Sequence, residues 1–160
     1  MSIQEGEKIP AIALKKMGTN GPEEVDTAKY FAGSKVVLFS VPGAFTPTCS
    51  AKHVPGFVQN AEALKAKGVD KIACLAVNDA FVMGAWGKDQ GVGDDVMMLA
   101  DGNGDFAKAL GLEMDGTGFG MGTRAQRFSL IAKDGVVTEL NVEAPGEFKV
   151  SSADHILGQL

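Results

Sequence analysis

Residues 35–41 form an unbroken apolar run rich in β-branched side chains, from Lys35 through Val36, Val37, Leu38, Phe39 and Ser40 to Val41. Such a run predicts a strand covered on both faces. A second of the same character spans 71–77, with Ile72, Cys74, Leu75 and Val77. Shorter strands are predicted at 96–100, 128–132 and 136–142. The last two are joined by Lys133, Asp134 and Gly135, and Asp-Gly is a strong hairpin signal. Helical stretches lie between them. One is predicted over about 48–67, with Phe57, Ala61 and Leu64 at helical spacing. Pro55 should kink it by removing the bond to the Ala51 carbonyl. Another covers about 80–90, with Asp79 placed to cap it, and a third about 104–110. A last one starts at Ser151 or Ser152, either of which can cap, and turns Ile156 and Leu157 inward. This alternation, closed by a hairpin, predicts an α/β chain with a central mixed β-sheet flanked by helices. No internal repeat, linker or low-complexity tract interrupts it.

Length fits one domain over residues 1–160, large enough to bury its own core. Hydrophobic residues make up 45% of the chain, too many for a disordered one. No apolar run approaches the ~20 residues a membrane helix needs. The start lacks the basic and apolar regions of a secretion signal, which favours a cytoplasmic setting. The net charge of −5 argues against a nucleic-acid partner. Two cysteines, Cys49 and Cys74, are too few for a disulfide scaffold or a structural zinc site. The only arginines are Arg124 and Arg127, which singles those positions out.

Several motif matches fail. The segment 101–105 opens like a calcium loop, but Phe106 stands where glycine is required and Leu112 where a bidentate glutamate is required. A turn capping the next helix is the simpler reading. Gly116, Gly118, Gly120 and Gly122 miss the dinucleotide fingerprint and read as a mobile loop.

The segment from Val41 to Ser50 carries chemistry. Thr46 is a good N-cap and Pro47 suits the first helical position, so Cys49 falls at the third. Unpaired amides and the positive end of the helix dipole favour a thiolate there, hence a nucleophilic sulfur. His53 lies one turn on, on the same face, as a possible partner or a local hydrogen-bonder. Cys74, mid-strand among apolar neighbours, reads as a small hydrophobe. Arg124 and Arg127 are three apart near a strand start, so strand alternation would bring only one of them to the site.

Pro42, Thr46 and Cys49, with the string from Val41 to Phe57, resemble the active-site motif of the peroxiredoxin family, in its type II or peroxiredoxin-5 branch. The likeness continues through Ala76–Met83, Trp86, Leu99–Gly102 and Arg127–Ser129. It implies a thioredoxin-like fold and reduction of hydrogen peroxide or organic hydroperoxides, with no metal or organic cofactor. It assigns Cys49 as the peroxidatic cysteine and Thr46 as the hydroxyl bonding thiolate and substrate. Pro42 would shield the sulfur, and Arg127 would hold thiolate and peroxide. The resemblance also implies a homodimer built around the active-site loops; Phe45, Phe81 and Trp86 are candidate contributors or, equally, ordinary core. Some members carry a second, resolving cysteine near the C-terminus; residues 146–152 here contain none. The implied reductant is therefore an outside thiol, glutathione with glutaredoxin, or thioredoxin. Two other readings use the same sulfur: a peroxide sensor or holdase without turnover, and a Cys49–His53 hydrolase.

Overall fold

The computed structural model describes residues 2–160. β1 (Ala13–Gly18) and β2 (Gly21–Asp26) form an antiparallel hairpin, followed by α1 (Thr27–Phe31). The central strands β3 (Lys35–Ser40), β4 (Lys71–Ala76) and β5 (Met97–Ala100) are parallel. β6 (Glu113–Asp115) and β7 (Thr123–Ala125) make a small separate hairpin. β8 (Phe128–Lys133) and β9 (Val136–Val142) are antiparallel, and β8 pairs with β3. The main sheet is therefore mixed, in the order β2-β1-β5-β4-β3-β8-β9. Asp134 and Gly135 turn from β8 to β9 with φ of 49° and 78°, the left-handed pair that a two-residue hairpin demands.

Both faces of β3 are covered, as its apolar run requires. Val37 and Phe39 join Phe57, Leu64, Met83, Trp86 and Ile156 in one core layer. Val36 and Leu38 join Phe31, Leu75, Leu99 and Phe106 in the other. The helices α2 (Val54–Gln59), α3 (Ala61–Ala66), α4 (Ala80–Gln90) and α6 (Ala153–Gln159) supply the first layer; α1 and α5 (Asp105–Leu110) supply the second. The arrangement is a thioredoxin-like fold with a mixed central sheet flanked by helices.

Capping follows side-chain chemistry. Asp79 accepts from Val82 N at 2.8 Å, and Ser152 rather than Ser151 caps α6. Asp101 accepts from the backbone N–H groups of Phe106 and Ala107, as the turn reading of 101–105 predicts.

Two expectations change, and one strand pair was not expected at all. The single helix over 48–67 is three pieces. Pro55 has no N–H, and Val54 N bonds the Cys49 carbonyl five residues back, so Cys49–His53 is a π turn. Asn60, at φ −102° and ψ 8°, breaks the rest into α2 and α3 while its amide bonds the Gly56 carbonyl. The glycines of 116–122 form a hydrogen-bonded tip between β6 and β7, with Gly116 N on the Gly122 carbonyl at 2.7 Å. The β1–β2 hairpin had no sequence signal, because its positions are exposed or half-buried apart from Leu14, so no apolar alternation marks it.

Candidate active site

β3 delivers the chain into the turn 42–46, which is held from several sides. Asn78, beyond β4, accepts from Ala44 N at 2.9 Å. Arg124 donates to the Pro42 carbonyl at 3.3 Å and the Met121 carbonyl at 2.9 Å. A Cβ on Gly43 would lie 2.8 Å from the Arg124 guanidinium, so a larger residue there would have to displace that head from the turn. Phe45 takes a left-handed φ of 65°, unusual for a bulky residue, which puts its ring outward. Helical residues begin at Pro47, with Ser50 N on the Thr46 carbonyl, so Cys49 falls at the third position, but the Thr46 hydroxyl does not cap this start and donates to the Gly43 carbonyl. Trp86 Nε1 ties the first turn down through Ser50 Oγ at 3.0 Å.

Cys49 is fully buried, and Arg127 Nη2 donates to its sulfur at 3.1 Å. The donor at sulfur is thus a guanidinium where spacing leads one to expect helix-start amides. Arg127 Nη1 donates to His53 Nδ1 at 2.8 Å, and His53 Nε2 bonds the Ser151 carbonyl at 2.9 Å. These partners fix the tautomer. A guanidinium only donates and a carbonyl only accepts, so His53 carries its proton on Nε2 and is neutral. Burial first, then the Arg127 charge, push its pKa down to about 3.

A neutral His53 with both nitrogens engaged is not poised as a base for Cys49, which removes the geometric basis of the hydrolase reading. It also predicts a stability effect. An unfolded histidine takes its proton near 6.5, the native one only near 3. Below pH 6.5 the unfolded chain binds a proton that the folded chain does not, so stability falls as the pH drops through that window. Thermal unfolding midpoints of wild type and His53→Phe should show it. The wild type should lose more stability than the variant on acidification, and parallel pH profiles would contradict the assignment.

Thr46 departs from its expected contact. Its one hydroxyl proton goes to the Gly43 carbonyl at 2.6 Å, so its oxygen is available elsewhere only as an acceptor. Both arginines reach the site region, against the alternation argument. β7 ends at Ala125 and β8 begins at Phe128, and the break between them resets the alternation. Cys74 sits on β4 opposite Phe39 and is fully buried. Burial, then the neighbouring Cys49, push its thiol pKa well up. A cavity of about 700 Å³ opens beside the cluster, with Pro42, Thr48, Arg127, Met114 and Phe148 on its wall.

Glu143 is a site residue that no motif marked. It lies just past β9, and its carboxylate gathers Lys149, Val150 and Ser151 backbone N–H groups and the Ser151 hydroxyl. Burial pushes its carboxyl pKa up, but these hydrogen bonds outweigh that and hold it below the usual value.

The redoxin family profile matches residues 4–157. Peroxiredoxin-2B of Arabidopsis thaliana is 58% identical, over 99% of this chain and 98% of the relative. The chloroplastic peroxiredoxin-2E of the same plant is 50% identical, over 99% of this chain and 70% of its own length. Reduced Prx3 of Vibrio vulnificus, solved in complex with H2O2, superposes with a TM-score of 0.95 at 54% identity, covering 98% of each chain. With a buried cysteine at a helix start under an arginine, on a thioredoxin-like sheet, and with likeness along its whole length, the chain belongs to the peroxiredoxins of the redoxin family and is a thiol peroxidase.

Proposed function

We propose that Cys49 reduces hydrogen peroxide and organic hydroperoxides and is regenerated by an outside thiol, with no metal or organic cofactor. One observation carries this reading: the Arg127 fork is split between the Cys49 sulfur and a neutral His53. A cationic donor at sulfur interacts favourably with the negative charge of the attacking form. The thiolate attacks the nearer peroxide oxygen, an S–O bond forms and the O–O bond breaks. Sulfur loses two electrons and becomes a sulfenic acid; the departing oxygen takes a proton and leaves as water or an alcohol. Charge moves from sulfur onto that oxygen, and Arg127 is the donor placed to follow it. Thr46 accepts the peroxide O–H, since its own proton is committed to Gly43. Pro42, on the cavity wall, limits water at the sulfur.

Regeneration proceeds by condensation of the sulfenic acid with a thiol, releasing water, and exchange of that mixed disulfide with a second thiol. Cys74 is not the partner in this reading, because it is fully buried in mid-strand and burial pushes its pKa up, which keeps it a poorly reactive thiol. The reductant is glutathione with glutaredoxin, or thioredoxin; coupled assays with each decide between them. We also infer a cytoplasmic, homodimeric enzyme. Phe45 and Phe81 are 54% and 66% exposed beside the active-site turn, apolar area that a second copy would cover, and sedimentation of the Phe81→Asp variant tests it.

Intact-mass spectrometry after one equivalent of peroxide tests the one-cysteine cycle. With glutathione, Cys49 should gain one glutathione. Without it, excess peroxide should drive Cys49 to the sulfinic acid. A stoichiometric loss of two hydrogens mapped to Cys49–Cys74 would sink the cycle. Sustained consumption of many equivalents in the coupled assay separates turnover from the sensor or holdase reading.

A further inference from the structure

We propose that Glu143 is a positioning residue for the Cys49–Arg127 pair, acting through Ser151 and His53. The inference rests on the reading of that pair as the reacting centre. Glu143 is 7% exposed, and its Oε2 accepts from the Lys149, Val150 and Ser151 backbone nitrogens, each at 2.8 Å, and from Ser151 Oγ at 2.6 Å. Three successive amides converging on one buried carboxylate fix the segment 149–151. That segment presents the Ser151 carbonyl to His53 Nε2 at 2.9 Å.

The consequence lies in the imidazole. The Ser151 carbonyl accepts, so the ring proton stays on Nε2 and Nδ1 keeps the lone pair that takes Arg127 Nη1 at 2.8 Å. If the carbonyl moves away, the proton is free to occupy Nδ1. That nitrogen then repels the guanidinium, and the donor at 3.1 Å from the sulfur loses its anchor. Glu143, three residues removed from the sulfur, thus sets the tautomer of His53. The other charged groups around the cavity are Lys52, Lys149, Glu113 and Glu147. None of these is hydrogen-bonded to His53, Arg127 or Cys49.

The test is a double-mutant cycle on the full chain. The readouts are the rate constant of peroxide reduction, the rate of Cys49 alkylation by iodoacetamide at fixed pH, and the imidazole ¹⁵N shifts of His53. Glu143→Ala should slow peroxide reduction about 10–100-fold, the scale on which a small misplacement of a reacting group acts. It should also move the His53 shifts away from the pure Nε2–H form. Glu143→Gln, which keeps one acceptor oxygen, should fall between Glu143→Ala and wild type. In a His53→Phe background, Glu143→Ala should cost nothing further, because the route is already cut. Equal losses in both backgrounds, or a wild-type rate and unchanged His53 shifts in Glu143→Ala, would overturn the proposal. Should Glu143→Ala fail to fold, Glu143→Gln is read in the same two backgrounds against the same criteria. A Cys49→Ser protein that still consumed peroxide would instead remove the reading on which the proposal rests.

Discussion

Replacing Cys49 with serine should abolish peroxide consumption, while Cys74→Ser should keep most of it. Both sulfurs are fully buried and both belong to the same core layer, so exposure does not distinguish them. Their hydrogen bonding does. Arg127 Nη2 reaches Cys49 at 3.1 Å, a donor that stabilises negative charge on sulfur. Cys74 lies in the register of β4 against Phe39, where burial raises its pKa and keeps it a thiol. A serine hydroxyl at position 49 is no substitute, because its oxygen stays protonated at neutral pH and does not accept an oxygen atom from peroxide. The measurement is loss of peroxide in a coupled assay, with circular dichroism to show that each variant folds. Comparable losses in the two variants would mean that Cys74 takes part in the chemistry.

Arg127→Ala should lower the peroxide rate by about 10²–10³, the usual cost of removing one charge-stabilising donor from a site that excludes water. The same change leaves His53 Nδ1 without its donor. Arg127→Lys should recover little, since one ammonium lacks the rigid fork that serves Sγ and Nδ1 together. Arg124→Ala should cost less, because Arg124 hydrogen-bonds the Pro42 and Met121 carbonyls and not the sulfur. Stopped-flow rates against hydrogen peroxide order the three variants. Arg124→Ala proving the more damaging change would mean that holding the turn matters more than the donor at sulfur.

The β3, β4 and β9 strands, α4 with its Asp79 cap, and the Asp134–Gly135 turn were legible because each rests on local chemistry: an apolar run, a carboxylate at a helix start, a left-handed pair. The same holds for the helix start at Pro47, which placed Cys49 at its third position. The motif likeness around Pro42, Thr46 and Cys49 pointed to the family that the whole-chain comparison shows. The β1–β2 hairpin was not legible, since its largely uncovered strands owe their pairing to the sheet they join. Nor was the π turn at Cys49–His53, although Pro55 signalled a disturbance, because a proline does not specify how the freed bonds are re-made.

The sequence by itself determined the apolar central strands, the helix that starts at Pro47 and the motif likeness that singles out Cys49, all signals carried by near neighbours in the chain. Tertiary structure alone decided which way the Thr46 proton points, that Arg124 reaches the 42–46 turn while Arg127 reaches Cys49, and that His53 is a neutral acceptor for Arg127. It also decided that Glu143, 94 residues beyond Cys49 by their numbers, closes the hydrogen-bonded line to the sulfur. Hydrogen-bond direction depends on which donor and acceptor meet across the fold, and no spacing along the chain encodes a meeting between β9, the C-terminal segment and a π turn.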